Sequence, residues 1–94
     1  MICIIKNNYA FRQGGGVHCY FGSPIFYNCI IEDNYAAVNG GGGVSNYTSN
    51  LQLINCSILD NFNRGIYSAN GGNLYIDSCI VYNNFGDGIE LIGS

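Results

Sequence analysis

The segment Cys-Ile-Ile-Lys-Asn-Asn-Tyr at positions 3–9 recurs three times in the 94-residue chain. It returns as Cys29-Ile-Ile-Glu-Asp-Asn-Tyr35, Cys56-Ser-Ile-Leu-Asp-Asn-Phe62 and Cys79-Ile-Val-Tyr-Asn-Asn-Phe85, at steps of 26, 27 and 23 residues. Self-similarity at this period marks a solenoid, in which one repeat is one coil and buries its apolar side against its neighbours. The steps divide a single segment, 1–94, into repeats near 3–28, 29–55, 56–78 and 79–94.

Aligning the repeats on cysteine exposes further columns. Two residues on is a branched aliphatic (Ile5, Ile31, Ile58, Val81), and five residues on is Asn (Asn8, Asn34, Asn61, Asn84). An aromatic follows each time: Tyr9, Tyr35, Phe62, Phe85. A turn of variable length then delivers Gly and a β-branched residue: Gly16-Val17, Gly43-Val44, Gly65-Ile66, Gly88-Ile89. A third segment, beginning at Pro24, Leu51 or Leu74, leads into the next cysteine. Each coil therefore reads as three short strands separated by turns.

The vocabulary agrees. Ile, Val, Tyr and Phe form strands, whereas Gly and Asn serve turns. Charged residues are only 10% of the chain, so the long polar side chains of surface helices are scarce. Alternation along a strand assigns the inward positions. These are Val17, Val44, Ile66 and Ile89 on the first strand after the turn, Phe26, Leu53 and Ile76 on the next, and the cysteine and Ile/Val columns on the third. The cysteine-to-aromatic segment is expected to supply most of the core and an Asn corner. Stacked Asn side chains can donate to one another, and Asn tolerates the left-handed backbone of a sharp corner. The glycines of Gly14–Gly16 and Gly40–Gly43 suit loops that need positive φ. None forms a phosphate loop, since no Gly-Lys-Ser/Thr and no following helix is present.

The Asn-Cys-x-(Ile/Val)-x-x-Asn pattern followed by a Gly-Gly-Gly-Val turn resembles the right-handed parallel β-helix repeat of the pectate-lyase-like superfamily. The resemblance spans essentially the whole chain. It implies an all-β, right-handed parallel β-helix of about four coils with three short strands per coil. It implies no single activity, because the fold hosts polysaccharide lyases, hydrolases, phage tailspikes and extracellular repeat proteins. Enzymes of the superfamily use acidic clusters with a basic residue or a His on one outer face, and no such motif maps onto this chain. The expected location is extracellular or at a cell surface, with a cytosolic chain, or a mature or truncated piece of something larger, as the alternatives.

Charge excludes some partners. The net charge is −3, and Lys6, Arg12 and Arg64 are scattered, so no basic footprint for nucleic acid exists. No apolar run approaches the ~18 residues of a membrane span. The repeat begins at Cys3, and no leader segment is expected ahead of it. The four aligned cysteines read as a column of small buried hydrophobes. Bridges between coils are possible by Cα distance, but parallel Cβ vectors aim poorly for them. No Cys-x-x-Cys or Cys/His spacing suggests zinc, and no cofactor is implied.

Candidate sites are few. Asp33 and Asp60 share one column on adjacent coils and could hold Ca²⁺, though solvated turns explain them as well. His18, Ser45, Tyr67 and Glu90 form one outward column, and Tyr20, Tyr47, Ala69 and Ile92 form its neighbour. His18, Tyr20, Tyr47, Tyr67 and Glu90 would suit sugar stacking. His18 and Glu90 lie three coils apart, roughly 14 Å, and cannot form one dyad. Asn46-Tyr-Thr48 and Asn55-Cys-Ser57 match the glycan acceptor pattern, but both asparagines fall at inward or corner positions. Ile25, Tyr27, Ile54 and Tyr75 should face outward on one strand, and Ile4, Ile30 and Ile80 on another. Exposed apolar surface of that kind marks an interface. The ends are expected to be uncapped, which exposes strand edges. The reading is a non-enzymatic, self-associating β-solenoid, able to stack end to end into a filament or to form part of a larger extracellular β-helix. The alternative is a polysaccharide-interacting fragment of a lyase, hydrolase or adhesin.

Overall fold

The computed structural model describes residues 2–37, 41–86 and 88–92. Its strands are β1 (Cys3–Lys6), β2 (Tyr9–Ala10), β3 (Val17–Tyr20), β4 (Ile25–Tyr27), β5 (Cys29–Glu32), β6 (Tyr35–Ala36) and β7 (Val44–Tyr47). They continue as β8 (Asn50–Ile54), β9 (Ser57–Leu59), β10 (Ile66–Ala69), β11 (Asn73–Asp77), β12 (Ile80–Tyr82) and β13 (Ile89–Ile92). All strand pairs are parallel, and three sheets wrap one core. The orders are β1-β5-β9-β12, β3-β7-β10-β13 and β4-β8-β11. The described chain completes three turns and begins a fourth, which adds a strand to the first two sheets only. About four coils were expected; the described residues hold three complete turns and, in the fourth, the strands β12 and β13. A short fourth ladder, β2-β6, runs on through the bridges Tyr35↔Phe62 and Phe62↔Phe85.

The register places like on like. Cys3 pairs with Cys29, Ile5 with Ile31, Val17 with Val44 and Ile66 with Ile89. Ile31, Val44, Leu53, Ile58 and Ile66 have no exposed surface. Each contributes roughly 1.5–3 kcal/mol by leaving water. The inward columns fall where alternation put them. The aromatic column turns outward, and Tyr9, Tyr35, Phe62 and Phe85 stack on the surface with centroids 5.1, 4.6 and 5.7 Å apart. They leave the core because the Asn before each of them occupies the inner corner.

Three corners per coil are made by residues in left-handed backbone, with φ between 55° and 62°. The first is Asn7, Asp33, Asp60 or Asn83, the second Phe21, Thr48 or Asn70, and the third Asn28, Asn55 or Ser78. The first corner corrects an expectation: the left-handed residue precedes the stacked Asn rather than being it. The stacked Asn is thereby free to point inward. Asn34 and Asn61 are essentially fully buried. Asn8 Nδ2 donates to Asn34 Oδ1 at 3.0 Å, Asn34 to Asn61 at 3.1 Å and Asn61 to Asn84 at 2.9 Å.

The glycine expectation also changes. Of the described residues in the two Gly-rich stretches, only Gly14 has positive φ. Gly16, Gly43 and Gly65 are required by close approach. A Cβ on Gly43 would lie 2.6 Å from the Gly65 carbonyl oxygen and 2.9 Å from Asn61 Nδ2. The glycine before Val17, Val44 and Ile66 is the space into which the next coil's Asn fits. Gly40 lies outside the described residues.

Candidate functional site

The second sheet carries one strip of interacting side chains on its outer face. The register aligns His18, Ser45, Tyr67 and Glu90, and beside them Tyr20, Tyr47 and Ala69. His18 contacts Tyr20 and Tyr47 at centroid distances of 6.5 and 5.8 Å, and Tyr47 lies 5.8 Å from Tyr67. Two residues from the variable turns complete it. Gln13 Nε2 donates to the Tyr47 hydroxyl at 3.0 Å, and the Arg64 guanidinium lies 5.0 Å over the Tyr67 ring. Arg64 also forms an ion pair with Glu90. Gln13 and Arg64 had no signal in the sequence, because the turns that hold them differ in length and form no column.

The strip is less polar than its sequence suggested. Ser45 is fully buried, with its Oγ accepting from the Gly41 backbone N–H at 2.8 Å, so the turn covers it. Ala69 is buried as well. His18 and Tyr20 are exposed, while Tyr47, Tyr67 and Glu90 are half-buried. Burial, and then neighbouring Tyr67, pushes the Tyr47 phenol up from its ordinary value. His18 and Glu90 stand at opposite ends of their column, three strands apart, and the structure does not bring them together.

Asp33 and Asp60 are exposed left-handed corner residues, and Asp60 Oδ1 accepts from Asn83 Nδ2 at 2.6 Å. No group of three or more His, Cys, Asp or Glu is placed to hold a metal among the described residues. Asn46 is fully buried and donates to Ser49 O, Ser68 Oγ and Asn73 O, which leaves it no reach to a glycosylation enzyme. Asn55 is an exposed corner, with Nδ2 donating to Asn28 Oδ1 at 2.7 Å. No helix of the described residues is long and apolar enough to cross a membrane.

The outward apolar positions behave unevenly. Ile4, Ile25, Tyr27, Tyr75 and Ile80 are exposed, whereas Ile30 and Ile54 are half-buried. Their columns are interrupted by Gln52, Ser57 and Asp77. The five cysteines are free. The Cys56 Sγ–H donates to the Phe26 carbonyl at 3.4 Å and that of Cys79 to the Leu53 carbonyl at 3.2 Å, so the thiols tie one coil to the coil before.

The parallel three-sheet geometry meets its counterpart in a family model described as a right handed beta helix region, which matches residues 1–94. The chain belongs to the right-handed β-helix family. Neither a comparison with curated proteins nor one with solved structures finds a match. Burial in this β-helix pushes the Cys19 and Cys29 thiols up, because the thiolate loses hydration; for Cys29 the adjoining Cys56 and Cys3 add to it. A raised folded value means that the unfolded chain releases these protons first. The stability they contribute is complete below the ordinary thiol pKa near 8.5 and is lost as pH rises beyond it. Urea midpoints are therefore expected to be flat from about pH 6 to 8 and to fall above about pH 9. A midpoint that rises between those two ranges would contradict the buried-thiol assignment.

Proposed function

We propose that this β-helix is a non-enzymatic structural module that self-associates by adding coil to coil at its ends. The observation that carries the reading is the state of the two ends. Ile5, Val17 and Phe26 at one end are only half-buried, as are Ile76 and Val81 at the other, and Ile89 is 43% exposed. Interior members of the same columns are fully buried. Strands β1, β3 and β4 at one end, and β11, β12 and β13 at the other, have a neighbour on one side only among the described residues. A free strand edge beside exposed core is a template for another chain. Solenoid stability is a sum over coil interfaces, so each end gains by acquiring one. The same ends would equally join this segment to further coils of a larger β-helix.

Light scattering of the 94-residue chain over a range of concentrations tests the reading. The expected result is a mass that grows with concentration, with rods about 30 Å across in negative-stain micrographs. A monodisperse species of 10.2 kDa at high concentration would overturn it.

The strip of His18, Tyr20, Tyr47 and Tyr67 favours a second reading, in which an extended polysaccharide lies across the second sheet. Rings spaced along a face offer stacking platforms for sugar rings. A glycan array with no signal that Tyr20→Ala removes would count against it.

A further inference from the structure

We propose that two copies join head to tail and in register, with Asn84 of one copy bonded to Asn8 of the next. The proposal rests on the self-association reading above and specifies its geometry. Its basis is the direction of the Asn ladder. At every rung two donors of one Asn, the backbone N–H and Nδ2, meet Oδ1 of the Asn one coil further on. The distances are 3.1 and 3.0 Å from Asn8 to Asn34, 3.0 and 3.1 Å from Asn34 to Asn61, and 2.9 Å for both from Asn61 to Asn84. The same side-chain amides reach back to carbonyls of the previous coil: Asn34 to Ile5, Asn61 to Ile31 and Asn84 to Ile58, each at 3.0 Å.

The two ends of the ladder are therefore chemically different. Among the described residues, Asn8 Oδ1 accepts no hydrogen bond, and the backbone N–H of Asn84 donates none. One end of the molecule presents an acceptor and the other presents donors. A head-to-tail junction joins them by the bonds already used at three rungs. A head-to-head junction would oppose two acceptors, and a tail-to-tail junction two sets of donors.

The side-chain columns support the same junction. Continuing the first two sheets sets Val81 against Ile5 of the next copy and Ile89 against Val17, aliphatic on aliphatic as in the interior. It also sets Glu90 against His18 of the next copy. These two lie at opposite ends of one column within a copy, and across the junction they become neighbours. Among the described residues the third sheet has no strand at the level of β13.

Thiols at both ends make the register measurable. Cys3 and Cys79 are three strands apart within a copy, roughly 14 Å, but one strand apart across the junction. A bifunctional maleimide too short to span the intramolecular distance should give a ladder of covalent oligomers. Peptide mass spectrometry should find Cys3 joined to Cys79, and the ladder should vanish in Cys3→Ser, a change at an exposed position. Assembly by light scattering with no ladder, or with Cys3 joined to Cys3, would overturn the head-to-tail register and leave self-association standing. A monomer by light scattering would overturn both.

Discussion

Replacing Asn61 with leucine is expected to lower folding stability by about 4 kcal/mol, near the upper limit for a single substitution. Asn61 is fully buried and sits at the centre of the ladder. Its Oδ1 accepts from Asn34 N and Nδ2, and its Nδ2 donates to Ile31 O and Asn84 Oδ1. Leucine has similar bulk but leaves the Asn34 N–H without an acceptor in a dry interior, and it takes a donor from the Ile31 carbonyl and one from Asn84 Oδ1. Such an orphan costs about 1–3 kcal/mol. Aspartate fares no better, since it restores the acceptor but not the donor, and it buries a charge. Asn8→Leu is the control. Asn8 is exposed and its Oδ1 serves no neighbour among the described residues, so a loss of about 1 kcal/mol is expected. Urea denaturation of both variants measures the contrast. Equal losses at the two positions would mean that the ladder does not hold the coils together.

Gly43→Ala should cost about 3 kcal/mol or more, by a different mechanism. The added methyl would meet Gly65 O at 2.6 Å, Asn61 Nδ2 at 2.9 Å and Ile58 Cγ2 at 3.0 Å. Two of these atoms belong to a backbone and to a fully bonded amide, which cannot step aside. The coils would have to separate, weakening the sheet pairing around Val44 and Ile66. Gly71→Ala makes the comparison informative. Gly71 has φ +78° and open space around its Cβ position, so only backbone strain opposes the change, about 1 kcal/mol. Thermal melts of the two variants should separate crowding from strain. If Gly43→Ala were no worse than Gly71→Ala, the packing of Asn61 against the glycine would be looser than its distances indicate.

The core was legible because two periodicities coincide. Alternation within a strand and repetition between coils both selected Ile31, Ile58, Val44, Ile66 and Leu53, and all are fully buried. The corner was harder. Asn7 and Asn8 are the same residue type, and nothing in the first repeat says which one stacks. The answer lies in the second and third repeats, where Asp33 and Asp60 occupy the first of the two positions and Asn alone occupies the second. A ladder needs a donor and an acceptor on one side chain, so the column without Asp is the buried one. The strip on the second sheet was half legible. Its tyrosines follow from alternation, but the burial of Ser45 under Gly41 and the reach of Arg64 to Glu90 depend on turns with no repeating length.

Those turns divide the molecule into a part that can change and a part that cannot. From the ladder Asn to the Gly of the Gly-Val step the chain advances eight residues in the first coil, nine in the second and four in each of the last two. The third corner never changes length: Asn28, Asn55 and Ser78 each stand between a residue of the third sheet and the next cysteine. Nearly all the unevenness of the repeat is thus confined to one long edge of the cylinder, beside the outer face of the second sheet. Residues can be gained or lost along that edge while every rung of the ladder and every pair of stacked strands keeps its partner. New chemistry could be grafted there, coil by coil, onto an axis that stays the same.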